Sequence, residues 1–117
     1  METIRVLLID DEEEFTSALA ERLNMRGIPT LTASNGEQAL QMIEACPPQV
    51  VLLDMLMPGL GGKEILTRIR SNHPDIVVFF LTGQAAVDLG PEGVEYLIKP
   101  VGIDELILKI RSITRKG

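Results

Sequence analysis

At 117 residues, the chain has room for one domain with one sizeable core and too little for two. Its 45% hydrophobic and 24% charged residues exclude a disordered chain, and a formal charge of -6 argues against direct nucleic-acid binding, which needs a basic footprint. The single cysteine, Cys46, rules out an internal disulfide and fits a reducing cytoplasm. No apolar run approaches membrane-spanning length, and Met1-Glu2-Thr3 carries no signal-peptide pattern. The expectation is one soluble cytoplasmic domain spanning residues 1–117, with no membrane contact.

Ile4-Arg5-Val6-Leu7-Leu8-Ile9 is a buried-strand candidate that ends in two acids, Asp10-Asp11. From Glu12 the period changes: Phe15, Ala18, Leu19 and Leu23 recur at helical spacing, and Gly27 is a natural stop. Glu12, Glu13 and Glu14 fall in the first turn, where the helix dipole favours negative charge. A more polar strand over residues 28–33 reads as an edge strand. Ser34 with Glu37 then offers a capping box for a helix carrying Ala39, Leu40 and Ile43, which Pro47-Pro48 ends. Val50-Val51-Leu52-Leu53 is a strand that runs into Asp54, and Pro58-Gly59 turns the chain. Gly59-Leu60-Gly61-Gly62 lacks the spacing of a nucleotide-phosphate loop and reads as a tight turn before a helix bearing Ile65, Leu66 and Ile69. Residues 76–81 form a fourth strand ending at Thr82-Gly83, and residues 94–98 a fifth ending at Lys99-Pro100. The last helix places Leu106, Ile107, Ile110 and Ile113 on one face. His73, beside Pro74, has no metal-ligand companions and reads as a surface residue. Cys46 and the methionines read as core or helix-end packing.

Strands alternating with helices, nearly all the strands being unbroken apolar runs, predict an α/β fold. The sheet is expected to be a doubly wound, five-stranded parallel one of order 2-1-3-4-5, flavodoxin-like in topology. In such sheets ligands sit beyond the carboxyl ends of the strands, where the strand order reverses. Four strands end there in chemically capable residues: Asp10-Asp11, Asp54, Thr82 and Lys99. Each alone has a bland reading. Asp54 could cap a turn, Thr82 could finish a strand, Lys99 could be a solvated charge and Tyr96 a half-buried ring with its hydroxyl in water. Together, however, three carboxylates in one pocket repel each other unless a cation is present, and an all-oxygen set with few protein ligands suits Mg²⁺. A carboxylate beside Mg²⁺, facing a hydroxyl and an ammonium, is equipped to accept a phosphoryl group and hold its oxygens.

Over essentially its full length the chain resembles the response-regulator receiver domains of two-component signalling. The motifs that carry the resemblance are Asp10-Asp11, Asp54-Met55-Leu56-Met57-Pro58-Gly59, Thr82-Gly83 and Tyr96-Leu97-Ile98-Lys99-Pro100. The resemblance implies a regulatory phosphoacceptor rather than an enzyme. Asp54 would take the phosphoryl group from a sensor histidine kinase or a phosphotransfer protein. Asp11, Asp54 and the Leu56 backbone carbonyl would ligate Mg²⁺, with Asp10 acting through a metal-bound water. Thr82 and Lys99 would hold phosphoryl oxygens, and Tyr96 would be the switch aromatic that turns inward as Thr82 moves. Lys99–Pro100 would be a cis peptide. The signal would pass to a downstream protein target or a linked output domain.

The chain departs from the family between Thr82 and Lys99, where it is several residues short. Only residues 84–89 have room to be helical, which predicts a shortened or missing fourth helix and disfavours the usual dimer through that surface. Leu56 and Gln84 flank the acceptor; the apolar Leu56 cannot orient water, which predicts a long-lived phosphoryl group. Two rival functions follow. One is a phosphorylation-independent interaction module on the same fold, which the shortened segment favours and the complete pocket opposes. The other is a Mg²⁺-dependent phosphohydrolase resembling the haloacid-dehalogenase family, which would want an Asp where Leu56 stands.

Overall fold

The computed structural model describes residues 4–55, 57, 59, 61–82, 95–99 and 101–114, without the side chains of residues 82, 113 and 114. The elements alternate as expected: β1 (Val6–Ile9), α1 (Glu13–Met25), β2 (Thr30–Ala33), α2 (Gly36–Ala45), β3 (Val50–Asp54), α3 (Gly62–Asn72), β4 (Val77–Thr82), β5 (Glu95–Ile98) and α4 (Ile103–Thr114). The five strands form one sheet in the order β2-β1-β3-β4-β5, and every pairing is parallel. The region in which a shortened fourth helix is expected, residues 84–89, lies outside the described residues, so α4 denotes the last helix.

The strand sequences explain the layering. Successive side chains alternate between faces, and both faces of this sheet are covered. The inner strands β1, β3 and β4 are therefore apolar up to their exit ends, while the edge strands β2 and β5 admit Thr30, Thr32 and Glu95. Leu7, Ile9, Val51, Leu53 and Phe80 pack under α2 and α3 with Ala39, Ile43, Ile65, Leu66 and Ile69. Val6, Leu8, Val50, Leu52, Phe79, Leu81 and Leu97 pack under α1 and α4 with Leu19, Leu23, Leu106, Ile107 and Ile110. No helix of the described residues is long and apolar enough to cross a membrane.

Three local expectations need correction. The buried face of α1 is Thr16, Leu19, Ala20 and Leu23, with Ala18 exposed. Thr16 is tolerated there because its hydroxyl donates to the carbonyls of Glu12 and Glu13, so no buried polar group is left unpaired. The helix cap before α2 is one residue later than the Ser34–Glu37 box. Asn35 is the cap and accepts from the Gln38 N–H at 2.8 Å, while the Gln38 amide oxygen accepts from the Ser34 N–H at 2.9 Å. Asn is at least as good a cap as Ser, and the Gln38 side chain reaches back past the cap to the N–H of the residue before it. His73 is half-buried at the end of α3, where its Nε2 donates to Glu44 at 3.1 Å.

Gly27, at φ 82°, ends α1 as expected, and Gly59, at φ 75°, makes the turn after β3. The expected edge strand, β2, is an edge, and its outer backbone groups are partly covered. The Asn24 side chain accepts from Thr30 N–H and donates to Thr30 O, which occupies positions an added strand would need.

Candidate functional site

The register builds the site. Ile9 pairs with Leu53, so the next residues, Asp10 and Asp54, leave neighbouring strands side by side. Asp54 is in turn aligned with Leu81 of β4, and Lys99 follows the last residue of β5. By alternation Asp54 shares the face of Leu52, Leu81 and Leu97, the side covered by α1 and α4. The carboxyl ends of β1, β3 and β5 thus deliver two acids and a base to one corner, against the start of α1.

Carboxylate oxygens of Asp10, Asp11 and Asp54 lie within 4.8 Å of one another. Asp10 is fully buried, Asp54 is 6% exposed and Asp11 is exposed, so the cluster opens to solvent through Asp11. Lys99 supplies the counter-charge. Its Nζ donates to Asp10 Oδ2 at 2.6 Å and to Glu12 Oε1 at 3.0 Å, and lies 4.0 Å from Asp54 Oδ2. The ammonium also lies 4.7 Å from the centroid of the Phe15 ring, a cation–π distance. Burial alone would lower the Lys99 pKa. The hydrogen bonds to Asp10 and Glu12 and the charges of Asp54 and Asp10 outweigh it, so the pKa is raised above its ordinary 10.5. Lys99 is therefore a fixed cation at neutral pH.

The donor set fits a small hard cation. It is all oxygen, it converges on one point, and one side is open for the waters that Mg²⁺ retains. The expected fourth ligand, the Leu56 carbonyl, lies outside the described residues, as do Pro100, Gln84 and the Thr82 side chain. Thr82 itself is the last residue of β4, at the same edge of the sheet.

A model of the response regulator receiver domain matches residues 6–111. The chain belongs to the response-regulator receiver family. It is 31% identical to the probable transcriptional regulatory protein TcrX of Mycobacterium tuberculosis over 97% of this chain and 50% of that protein. It is also 31% identical to the response regulator MprA of Mycolicibacterium vanbaalenii, over 97% of this chain and 51% of that one. The chain thus spans about half the length of the curated relatives it matches. Among solved structures, the receiver domain of NtrX from Brucella abortus superposes with a TM-score of 0.88 at 28% identity, covering 96% of this chain and 99% of that one. A response regulator receiver domain protein from Clostridium thermocellum also gives 0.88, at 35% identity over 97% and 96%.

Within this receiver the structure brings together Asp10, Asp11, Asp54 and Lys99 of the residues singled out from sequence. Tyr96 sits elsewhere. Its ring is half-buried and stacked on Phe80, 5.7 Å between centroids, on the α2–α3 side of the sheet. The bland alternative, a half-buried ring with its hydroxyl in water, is met by the ring and not by the hydroxyl: Tyr96 Oη is enclosed and has no hydrogen-bond partner among the described residues.

Sequence reasoning missed three contributors. Glu12 was assigned to the helix dipole, yet its carboxylate bonds Lys99. Phe15 was assigned to the core, yet its ring also faces the ammonium. Gly62 was assigned to a turn, but a Cβ there would lie 2.9 Å from Asp54 O and Met55 Cα, so α3 starts hard against the backbone that carries Asp54. Only Glu12 had a legible signal, a third acid one position beyond the strand-end pair.

Proposed function

We propose that this receiver is a phosphorylation-operated switch in which Asp54 accepts a phosphoryl group from a phosphohistidine on a sensor kinase or a phosphotransfer protein. One observation carries the reading: three carboxylates converge within 4.8 Å, with Lys99 reaching Asp10 and lying 4.0 Å from Asp54. In the transfer, an Asp54 oxygen attacks phosphorus and the bond to the imidazole nitrogen breaks. Asp54 is buried enough to be held in one orientation and lies beside the solvent-facing Asp11. Asp10, Asp11 and Asp54 would hold Mg²⁺, together with the Leu56 carbonyl, and the ion would neutralise charge on the transferring group. Lys99 would pair with a second phosphoryl oxygen and Thr82 with a third. Tyr96 would respond to the movement of Thr82.

The domain acts as a regulator in this reading, not as an enzyme with turnover on a separate substrate. Its setting would be the cytoplasm, and its output a downstream protein or an attached effector domain. The names of its relatives, response regulators and transcriptional regulatory proteins of about twice this length, support an attached effector.

Intact mass after incubation with Mg²⁺ and acetyl phosphate tests the reading. The wild type should gain one phosphoryl group and Asp54→Asn should gain none. No adduct on the wild type would favour a phosphorylation-independent interaction module. An adduct that persists in Asp54→Asn would move the acceptor to another residue.

A further inference from the structure

The contacts that hold Lys99 are unevenly placed. Its hydrogen bonds go to Asp10 at 2.6 Å and Glu12 at 3.0 Å, and its aromatic contact is Phe15. All three residues belong to the corner where β1 passes into α1. Asp54, the acceptor across the pocket, is 4.0 Å from the ammonium, beyond hydrogen-bond reach.

Glu12 is aimed at Lys99 by local structure. It occupies the cap position of α1, with φ -83° and ψ 90°, and its side chain makes no cap hydrogen bond. Shorter side chains are preferred at such positions because they fold back onto the first-turn amides. Glu12 instead has its own N–H held by Asp10 Oδ1 at 2.9 Å, and its carboxylate reaches out to the ammonium. Asp10 therefore uses one oxygen to fix the Glu12 backbone and the other to bind Lys99.

We propose that Glu12 is a positioning residue that docks Lys99 at the β1–α1 corner while Asp54 is unmodified, so that a phosphoryl group on Asp54 must win the ammonium from Glu12. The proposal rests on the reading of Asp54 as the acceptor. Transfer turns the Asp54 carboxylate into an acyl phosphate, a net gain of about one negative charge, and places three strong acceptor oxygens beside Lys99. Asp10 is fully buried and its pairing with Lys99 is the shorter one, so it survives a small displacement of the ammonium. The Glu12 carboxylate is 65% exposed, can be resolvated by water, and is the contact that yields. Because Glu12 stabilises only the state with Asp54 unmodified and Lys99 docked, its loss tightens the hold on a phosphoryl group without removing any part of the pocket. Exposed ion pairs are weak, so the effect is modest, about threefold.

The test uses the full chain with Mg²⁺ and beryllofluoride, a phosphoryl mimic that binds an acceptor carboxylate reversibly. Affinity is read by calorimetry, and the position of the ammonium by the ¹⁵N-correlated signal of Lys99 Nζ. Glu12→Gln should bind beryllofluoride about threefold more tightly than wild type. Its Lys99 signal should be shifted before any mimic is added. Glu12→Asp keeps the charge, but the shorter side chain caps the helix instead of reaching Lys99; it should behave like Glu12→Gln. Glu13→Gln removes one charge from the same turn and should match wild type in both readouts.

Wild-type affinity in Glu12→Gln, with normal binding by the wild type, would overturn the dock alone. Equal gains in Glu12→Gln and Glu13→Gln, or a Glu12→Asp protein that matches wild type, would also overturn it, because charge and not contact would then be the cause. Failure of the wild type to bind beryllofluoride would overturn the acceptor reading and, with it, the competition.

Discussion

The two ends of the same strand pair, β1 and β3, treat charge in opposite ways. At the entry end, Arg5 stands just before β1 and spreads its guanidinium over neutral acceptors: Gln49 Oε1 at 3.4 Å, Cys46 Sγ at 3.2 Å and Pro47 O at 3.0 Å. Its backbone is stitched to the start of β3 as well, with Arg5 N–H donating to Gln49 Oε1 and Arg5 O accepting from Gln49 and Val50 N–H. The group is exposed, solvated and satisfied. At the exit end, two buried acids and an exposed one converge, with Lys99 drawn in from β5. Between the ends lie apolar residues buried on both faces, which fix the spacing of both. The entry end is built for attachment. The exit end concentrates like charge, a cost that structure alone does not require and that a cation or a phosphoryl transfer can use.

Lys99→Met should break the comparison hardest. It leaves Asp10 and Asp54 buried without their cation, and removing one partner of such a pair costs about 3 kcal/mol. Urea denaturation without divalent ions would measure it, and millimolar Mg²⁺ should recover part of the loss by binding the folded state. Gly62→Ala comes next. A methyl group 2.9 Å from the Asp54 carbonyl forces α3 and the end of β3 apart, at about 2 kcal/mol. Because the displaced backbone carries Asp54, the proposed acceptor, this variant should also take up phosphoryl from acetyl phosphate more slowly than its stability alone accounts for. A variant with wild-type uptake would separate the tight turn from the chemistry.

The exit end was the more legible of the two in the sequence. Apolar runs ending in Asp10, Asp54 and Lys99, combined with parallel-sheet topology, are enough to bring those residues to one edge of the sheet. Register follows from topology, and topology from the alternation of periods along the chain. Side-chain reach does not follow. Nothing in the pattern says that Glu12 turns away from its helix, or that Asn35 rather than Ser34 caps α2, because neighbouring residues with similar chemistry compete within tenths of a kcal/mol for one position. The entry end was invisible for the same reason. Arg5 read as an ordinary polar position in a strand, and its three acceptors come from a loop and a helix end that only folding brings near.

Arg5→Ala sharpens the contrast from the satisfied side. It removes the guanidinium contacts but leaves the Arg5 backbone bonds to Gln49 and Val50 available to alanine, so the loss should be about 1 kcal/mol. Phosphoryl uptake should match wild type, since the change lies at the opposite end of β1. A variant that folds normally and takes up phosphoryl poorly would mean that the ends communicate through the sheet.

The smallest effect is a pH dependence, and it isolates the charge of Lys99 from its packing. The folded-state pKa of Lys99 is raised above 10.5, despite the burial that opposes it, by Asp10, Glu12 and Asp54. A raised pKa means that the folded state holds the proton more tightly than the unfolded chain. That contribution is fully present below pH 10.5 and is lost as pH rises through the higher folded-state value. The stability difference between wild type and Lys99→Met should therefore stay level from neutral pH to about pH 9.5 and narrow only above 10.5. The difference between wild type and Arg5→Ala, which leaves Lys99 in place, is the reference over the same range. A Lys99→Met difference that is flat through the alkaline range would show that the lysine stabilises the exit end by the packing of its stem and not by its charge.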